Sequence, residues 1–177
     1  MRRIPALETE RLLLRPVTEQ DLLSIHAILG DAAVMYAWEH GFTEEETRQW
    51  IKNRLSGYER DGFSHFAVML KGTDDLIGLV GPLKEVLDGR TCIGLGWLLR
   101  RDRWKQGYAF EAAEAALRYS FEVLGAKTVI ADIRPENTAS IRLAEKLGMK
   151  AQYTVIKHYR GKEMPHTVYA VNNQKTD

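Results

Sequence analysis

Apolar positions along this chain alternate between two spacings, and the alternation predicts the elements. "RLLLRPV" is a short apolar run that reads as a first strand. "TEQDLLSIHAIL" follows, with Thr18 as N-cap, Asp21 three residues on, and Leu22, Ile25 and Leu29 on one helical face. A second capping box, Thr43 with Glu46, opens "TEEETRQWIKNRLSGYER", whose Trp50, Ile51, Arg54, Leu55 and Tyr58 lie along one side. The acidic residues Glu44 to Glu46 fall in its first turn, where they complement the helix dipole.

Three strand signals come next. "SHFAVMLK" alternates at Phe66, Val68 and Leu70, "DLIGLVGPLKEV" follows a polar turn at Gly72 to Asp74, and "TCIGLGWLLR" follows the hairpin signal Asp88-Gly89. They predict an antiparallel meander. A helix with Phe110, Ala113, Leu117 and Leu124 on one face then ends at Gly125. "KTVIADI" reads as a strand and "NTASIRLAEKL" as a shorter helix closed by Gly148. "AQYTVIKHY" and "HTVYAVN" make a closing hairpin across Arg160-Gly161-Lys162. The order β-α-α-β-β-β-α-β-α-β-β has one β-α-β step, residues 91 to 133, which predicts a right-handed crossover between parallel neighbours. The expected fold is α/β (α+β), a mixed sheet with helices on both faces, in a single domain spanning residues 1–177.

Composition narrows the chemistry. The chain has 177 residues, 45% apolar and 28% charged, with a formal net charge of +1. That balance gives no global field for nucleic acid or an anionic membrane. The apolar runs are too short to span a bilayer, and "MRRIPALETERLLLRPV" lacks the apolar stretch of a secretory leader. Cys92, the single cysteine, lies in an apolar strand and is expected in the core; a cytoplasmic setting fits. His26, His40, His65, His158 and His166 show no metal-ligand spacing, so no metal is expected.

"DRWKQGYAFEAAEAALRY" carries the strongest chemical signal. Gly107 and Ala109 are small where a helix begins, and a helix N-terminus offers unpaired amides and partial positive charge to an anion. Arg103 and Lys105 add cations beside it. The stretch is neither GxGxxG nor a P-loop, which disfavours dinucleotides and nucleoside triphosphates. Read alone, it fits a phosphate-bearing ligand or a plain helix start.

Together, "LGWLLRRDRWKQGYAFEA" and "VIADIRPENTASIRLAEKLGM" resemble the GCN5-related N-acetyltransferases (GNAT), in their RimJ/RimL-like ribosomal-protein branch. "ETERLLLRPVTEQDL" and "YRGKEMPHTVYAV" extend the resemblance over nearly the whole chain. It implies a mostly antiparallel sheet of about seven strands, with a parallel pair splayed at its centre. It implies acetyl-CoA as donor and a primary amine as acceptor, either a protein N-terminus or a small molecule, and a homodimer by analogy. The family's pyrophosphate signature, Q/R-x-x-G-x-G/A, maps onto Trp104, Lys105, Gln106, Gly107, Tyr108 and Ala109, with Trp104 departing from its first position. The resemblance assigns pantetheine pairing to the backbone of Leu98, Leu99 and Arg100, carbonyl polarisation to an amide near Leu98, and a pantetheine hydrogen bond to Asn137, with Ser140 beside it.

Two common family features are missing. Gly94 stands where many members carry a glutamate, and Ala144 where many carry a tyrosine acid. Ser140 is then the nearest hydroxyl for an acid, and Glu85, His40 and Glu39 are candidate bases. Asp132 is placed to steer a cationic amine, and Tyr36, Trp38, Glu39 and His166 to border the acceptor. The missing pair also keeps a non-catalytic acyl-CoA sensor as the alternative.

Overall fold

The computed structural model describes residues 4–87 and 89–174. Among these residues one eight-stranded sheet forms, in the order β1-β2-β3-β4-β5-β6-β8-β7. The strands are β1 (Leu7–Glu8), β2 (Leu12–Pro16), β3 (Phe66–Leu70), β4 (Leu76–Leu87), β5 (Arg90–Leu99), β6 (Thr128–Ile133), β7 (Lys150–Tyr159) and β8 (Lys162–Asn172). The helices are α1 (Leu22–Leu29), α2 (Glu44–Asp61), α3 (Tyr108–Glu122) and α4 (Thr138–Lys146). The strand beyond the expected seven is β1, whose two residues are too few for alternation to reveal.

Strand pleating sorts the apolar residues onto two faces. Leu12, Leu14, Phe66, Val68, Ile77, Leu95, Leu99, Val129 and Ala131 pack beneath α3 and α4. Leu13, Ala67, Met69, Leu76, Leu79 and Leu98 pack on the other face with Ile25, Ile28, Leu29 and Ile51 of α1 and α2. The buried side of α3 is Ala112, Ala113, Ala115, Ala116, Leu117 and Tyr119. Its alanines let the helix axis approach the sheet closely. Phe110, expected on that face, is half-buried under Lys146, whose Nζ lies 3.9 Å from the ring centroid.

Two boundaries differ from the pattern. The last strand begins at Lys162, four residues before "HTVYAVN". Arg160 and Gly161 take φ of 49° and 74°, and these two left-handed residues close the hairpin directly, so Tyr159 already faces Lys162. Helix α3 stops at Glu122, because Gly125 turns at φ 68° and the amides of Leu124 and Ala126 reach back to Tyr119 and Ser120. In the β4–β5 turn, Gly89 adopts φ 74°, while Asp88 lies outside the described residues. Cys92 is half-buried on β5 rather than in the core, its Sγ 3.7 Å from the Glu85 carbonyl. Among the described residues no helix is long and apolar enough to cross a membrane.

Phe66 is fully buried and meets Tyr119 edge-on at 5.4 Å, joining sheet to α3. Phe66→Ala should therefore cost about 3–5 kcal/mol of stability, measured as a lower urea midpoint at unchanged slope.

Candidate active site

The only parallel contact in the sheet is short. β5 and β6 pair at Ile93↔Val129 and Gly94↔Ile130. Beyond that point β5 stays on β4 as far as Gly78↔Leu99, and β6 stays on β8 as far as Ile133↔Thr167. The two strands therefore part, leaving a wedge with a free backbone edge on each side. Pleating decides which β5 residues face it. The Arg100 amide donates to the Ile77 carbonyl of β4 at 2.8 Å, so Gly96 and Leu98, at even spacing from it, also turn to β4. Leu95, Trp97 and Leu99 face the wedge. This corrects the assignment of Leu98 and Arg100 as pantetheine-pairing residues: their backbone groups are engaged on the other side. The Leu99 carbonyl also accepts from Trp104 Nε1 at 2.8 Å, which explains a tryptophan at the first motif position.

The wedge opens toward the turn that starts α3. A single 3-10 turn (Arg101–Arg103) leads to extended Trp104, then to Lys105 at φ 60° and Gly107 at φ 84°. Gly107 is the N-cap, and the first amides of the helix, those of Tyr108, Ala109 and Phe110, have no helical acceptor. A Cβ at Gly107 would also come within 3.2 Å of Arg11 Nη2. Arg11 was not singled out from the sequence. Its Nη1 donates to the Gln106 carbonyl at 3.0 Å, its Nε to Glu111 Oε2 at 2.7 Å, and its guanidinium lies 4.3 Å from the Tyr108 ring centroid. Thr9 Oγ1 and the Arg11 amide donate to the other oxygen of Glu111. Burial pushes the Glu111 carboxyl up, but these hydrogen bonds outweigh it and hold the group below the usual range. A contact between residues 11 and 111 has no local signal.

Arg103 is tied to a carboxylate. Its Nη2 donates to Asp75 Oδ2 at 2.7 Å, while Arg100 grips Asp75 Oδ1 and Asp102 Oδ1, each at 2.7 Å. The hydrogen bond from Arg100 leads in holding the Asp75 carboxyl well below its ordinary value. Arg101 is likewise paired, with Asp31 at 3.0 Å. Lys105 is exposed and makes no ion pair among the described residues. It is a cation this turn can offer an anion.

Asn137 caps α4, its Oδ1 accepting from the Ser140 amide at 3.1 Å, which leaves its side-chain NH2 for other partners. Ser140 Oγ accepts from Trp97 Nε1 at 3.2 Å. Its hydroxyl proton therefore remains free to donate elsewhere.

On the opposite face of the sheet, Gly94 and Gly96 leave room for side chains from neighbouring strands. A Cβ at Gly94 would come within 2.6 Å of Glu85 Cγ, and one at Gly96 within 3.2 Å of His65 Nε2. Glu85, which pairs with Cys92 across the β4–β5 ladder, thus lies over the position where a β5 glutamate was expected. Burial and the nearby Asp132 push its carboxyl upward. Lys157 of β7 lies 3.8 Å from Glu85 Oε2 and is ion-paired with Asp132. Neither Lys157 nor its neighbour Tyr159 carries a distinguishing sequence signal; the β7–β8 register brings them in.

The other candidates are engaged elsewhere. His40 Nδ1 lies 2.9 Å from the Gly41 carbonyl and so carries the proton, and its Nε2, 2.8 Å from Tyr159 Oη, accepts from that phenol. That ring nitrogen is thus shared with the Tyr159 hydroxyl. Glu39 is held by Lys162 first and then Arg134, which depress its carboxyl; it is a clasp between the α1–α2 connection and the last hairpin, not a base. Tyr36 and Trp38 are partly exposed on that same connection. His166 is half-buried on β8, its Nδ1 2.9 Å from the Met164 carbonyl, two residues along from the Val168 that faces Asp132.

His65 is the least expected member. Its carbonyl accepts from Tyr58 Oη, a hydroxyl that burial pushes up to about 12 and that itself accepts from the Val17 amide. Burial, helped by the charge of Arg54, lowers the His65 imidazole to about 3, so it is neutral at physiological pH.

Comparison with known proteins meets this geometry from another direction. Residues 11–150 match the model of the acetyltransferase (GNAT) domain. The chain is 34% identical over 145 residues to the uncharacterized N-acetyltransferase YnaD of Bacillus subtilis, covering 81% of this chain and 82% of that protein. A GNAT-family acetyltransferase of Bacillus anthracis superposes with a TM-score of 0.79 at 30% identity, over 95% of this chain and 98% of the other. RimL, the ribosomal L7/L12 alpha-N-protein acetyltransferase solved with coenzyme A, shares the fold at a TM-score of 0.77 and 15% identity, over 95% and 98% of the two chains.

The depressed His65 has a sign that can be worked out. Between its folded value of about 3 and the ordinary histidine value of 6.5, the unfolded chain binds the extra proton. Its stabilising contribution is thus complete above pH 6.5 and lost as pH falls toward 3, at about 1.4 kcal/mol per pH unit inside that window. His65→Gln should show a shallower loss of stability than wild type across the same pH range in urea titrations.

Proposed function

The chain belongs to the GNAT acetyltransferase family, and from that premise we propose that it transfers an acetyl group directly from acetyl-CoA to a primary amine, with the donor along the β5–β6 wedge and the acceptor entering on the Glu85 face. The observation that carries the proposal is the parting of β5 and β6 after Gly94↔Ile130, next to the open N-terminus of α3. The residues present fit the donor: a turn with a left-handed glycine at Gly107, an uncommitted Lys105, and a strand edge at Trp97 with no ladder partner on β6. When bound, acetyl-CoA supplies an acyl carbon already activated as a thioester.

In this reading the amides of Tyr108, Ala109 and Phe110, with Lys105, hold the pyrophosphate, and Arg11 braces the turn from outside. Trp97 and Leu99 offer backbone groups along the wedge, and the Asn137 side-chain NH2 reaches it from α4. The Trp97 amide supplies a preorganised donor where the carbonyl oxygen gathers charge. An amine arrives protonated and must lose that proton before it attacks. Glu85 takes it, and burial, by raising the affinity of its carboxylate for a proton, makes it a stronger base near neutral pH. Asp132 draws the incoming ammonium, and Lys157 keeps the two carboxylates together at the site. Ser140, its oxygen oriented by Trp97, presents its hydroxyl proton to the leaving sulfur. The RimJ/RimL-like branch, the cytoplasmic setting and the dimer implied by the resemblance belong to the same reading.

Gly107→Val should weaken CoA binding at least about tenfold by calorimetry, since one lost charge-assisted contact is worth about 1.5–3 kcal/mol. Undiminished affinity would remove this turn from the donor site. Glu85→Gln should lower kcat/KM by about 10²–10⁴. Wild-type kcat/KM should fall at acid pH as Glu85 protonates, above the ordinary carboxylate range, and the substitution should flatten that limb; a retained limb would assign the base elsewhere.

A further inference from the structure

Beside the Glu85 face of the sheet stands a cation with no ion-pair contact among the described residues; Glu85 is the carboxylate whose charge acts on it from a distance. Arg54, on α2, is half-buried, and its Nε is buried with no hydrogen-bond partner. Among the described residues it makes no ion pair. Its one hydrogen bond runs from Nη1 to His65 Nδ1 at 3.2 Å, and its guanidinium stands 5.0 Å from the centroid of the Trp50 ring. Every other guanidinium in this neighbourhood of the fold is paired with a carboxylate: Arg15 with Asp21, Arg60 with Asp61, Arg160 with Glu46. A partly desolvated charge is ordinarily compensated, because leaving it alone costs several kcal/mol.

The tautomer of His65 extends the argument. A guanidinium only donates, so His65 Nδ1 accepts from Arg54 and the ring proton sits on Nε2. That Nε2–H lies over Gly96, on the acceptor face of β5, and makes no hydrogen bond among the described residues. Two donors, one charged and one neutral, therefore stand side by side without an acceptor. Glu85 lies over Gly94, two residues along the same strand, which is about 7 Å away at strand rise. A proton-accepting carboxylate and a guanidinium with no ion-pair contact thus neighbour the same stretch of β5, at a separation that a molecule of a few heavy atoms bridges.

We propose that Arg54 and the Nε2–H of His65 bind a carboxylate carried by the acceptor, so that the acceptor is an amine of amino-acid type with a carboxylate a few bonds from the reacting nitrogen. The inference rests on the acetyl-transfer reading above and narrows its acceptor class. A single negative charge is the most this pair can offset, because Arg54 contributes one positive charge that Glu85 already acts on, and His65 contributes none. A phosphate dianion would leave excess negative charge beside Glu85 and Asp132. The planar guanidinium, beside the Trp50 ring, suits the flat, two-oxygen geometry of a carboxylate.

The test uses the full chain with acetyl-CoA, and reads free thiol released with the common L-amino acids, their α-amides, and simple alkylamines of matching size. Wild type should prefer at least one free acid over its amide and over the matching alkylamine by about 100-fold in kcat/KM, the scale of one hydrogen-bonded charge pair. Arg54→Gln should erase most of that preference through KM while leaving CoA affinity by calorimetry unchanged, and Arg54→Lys should restore part of it. Equal turnover of acids and amides by wild type would overturn the proposal. So would an Arg54→Gln protein that keeps the acid-over-amide ratio, or CoA binding without turnover of any carboxylate-bearing amine. Absence of CoA binding would instead sink the acetyl-transfer reading on which it rests.

Discussion

The site depends on one constraint: two parallel strands that hydrogen-bond at a single register and then separate. β5 and β6 are each committed to an antiparallel partner on their far side, and the sheet's twist carries those partners apart. A strand edge inside a sheet is normally satisfied by its neighbour. Here the edge of β5 beyond Gly94 is left without one, so it can pair with an extended ligand. The register also sets which residues do so. Because the Arg100 amide is bonded to Ile77, the groups that face the wedge are those of Trp97 and Leu99, the Leu99 carbonyl being taken by Trp104.

The glycines of β5 act together with that gap. On the face away from α3, Gly94 and Gly96 present no side chains, and the space above them is filled by Glu85 from β4 and His65 from the start of β3. A carboxylate can therefore reach the mouth of the wedge from the neighbouring strand rather than from β5 itself. A carboxylate stands over Gly94, although it comes from nine residues earlier in the chain. Trp97 links the two faces of this strand in another way, since its indole points to α4 and holds Ser140 while its amide faces the wedge.

Much of the chain's charge is structural. Arg100, Arg101 and Arg103 crowd the loop before α3, yet Asp75, Asp102 and Asp31 engage all of them. They hold the turn in the shape that exposes its amides. The same holds for the clasp between the α1–α2 connection and the last hairpin, where Glu39 meets Lys162 and Glu46 meets Arg160. Against this background of paired charge, Lys105 beside the start of α3 and Arg54 on α2 are among the cations that make no ion pair among the described residues.

The sequence by itself determined the element order, the meander, the crossover and the anion-receptive helix start, because these follow from local spacing, capping and glycine conformations. Gly107 was legible for that reason: its left-handed backbone and its place before an alanine-rich helix are properties of a few consecutive residues. Glu85 and Asp132 were legible as candidates but not as neighbours. The tertiary structure alone decided that Lys157 joins them, that Arg11 braces the turn, that Arg103 pairs with Asp75, and that His40 meets the Tyr159 hydroxyl. Each of these is a contact between residues far apart in the chain. Their partners are selected by strand register and packing, which residue type and local periodicity do not encode.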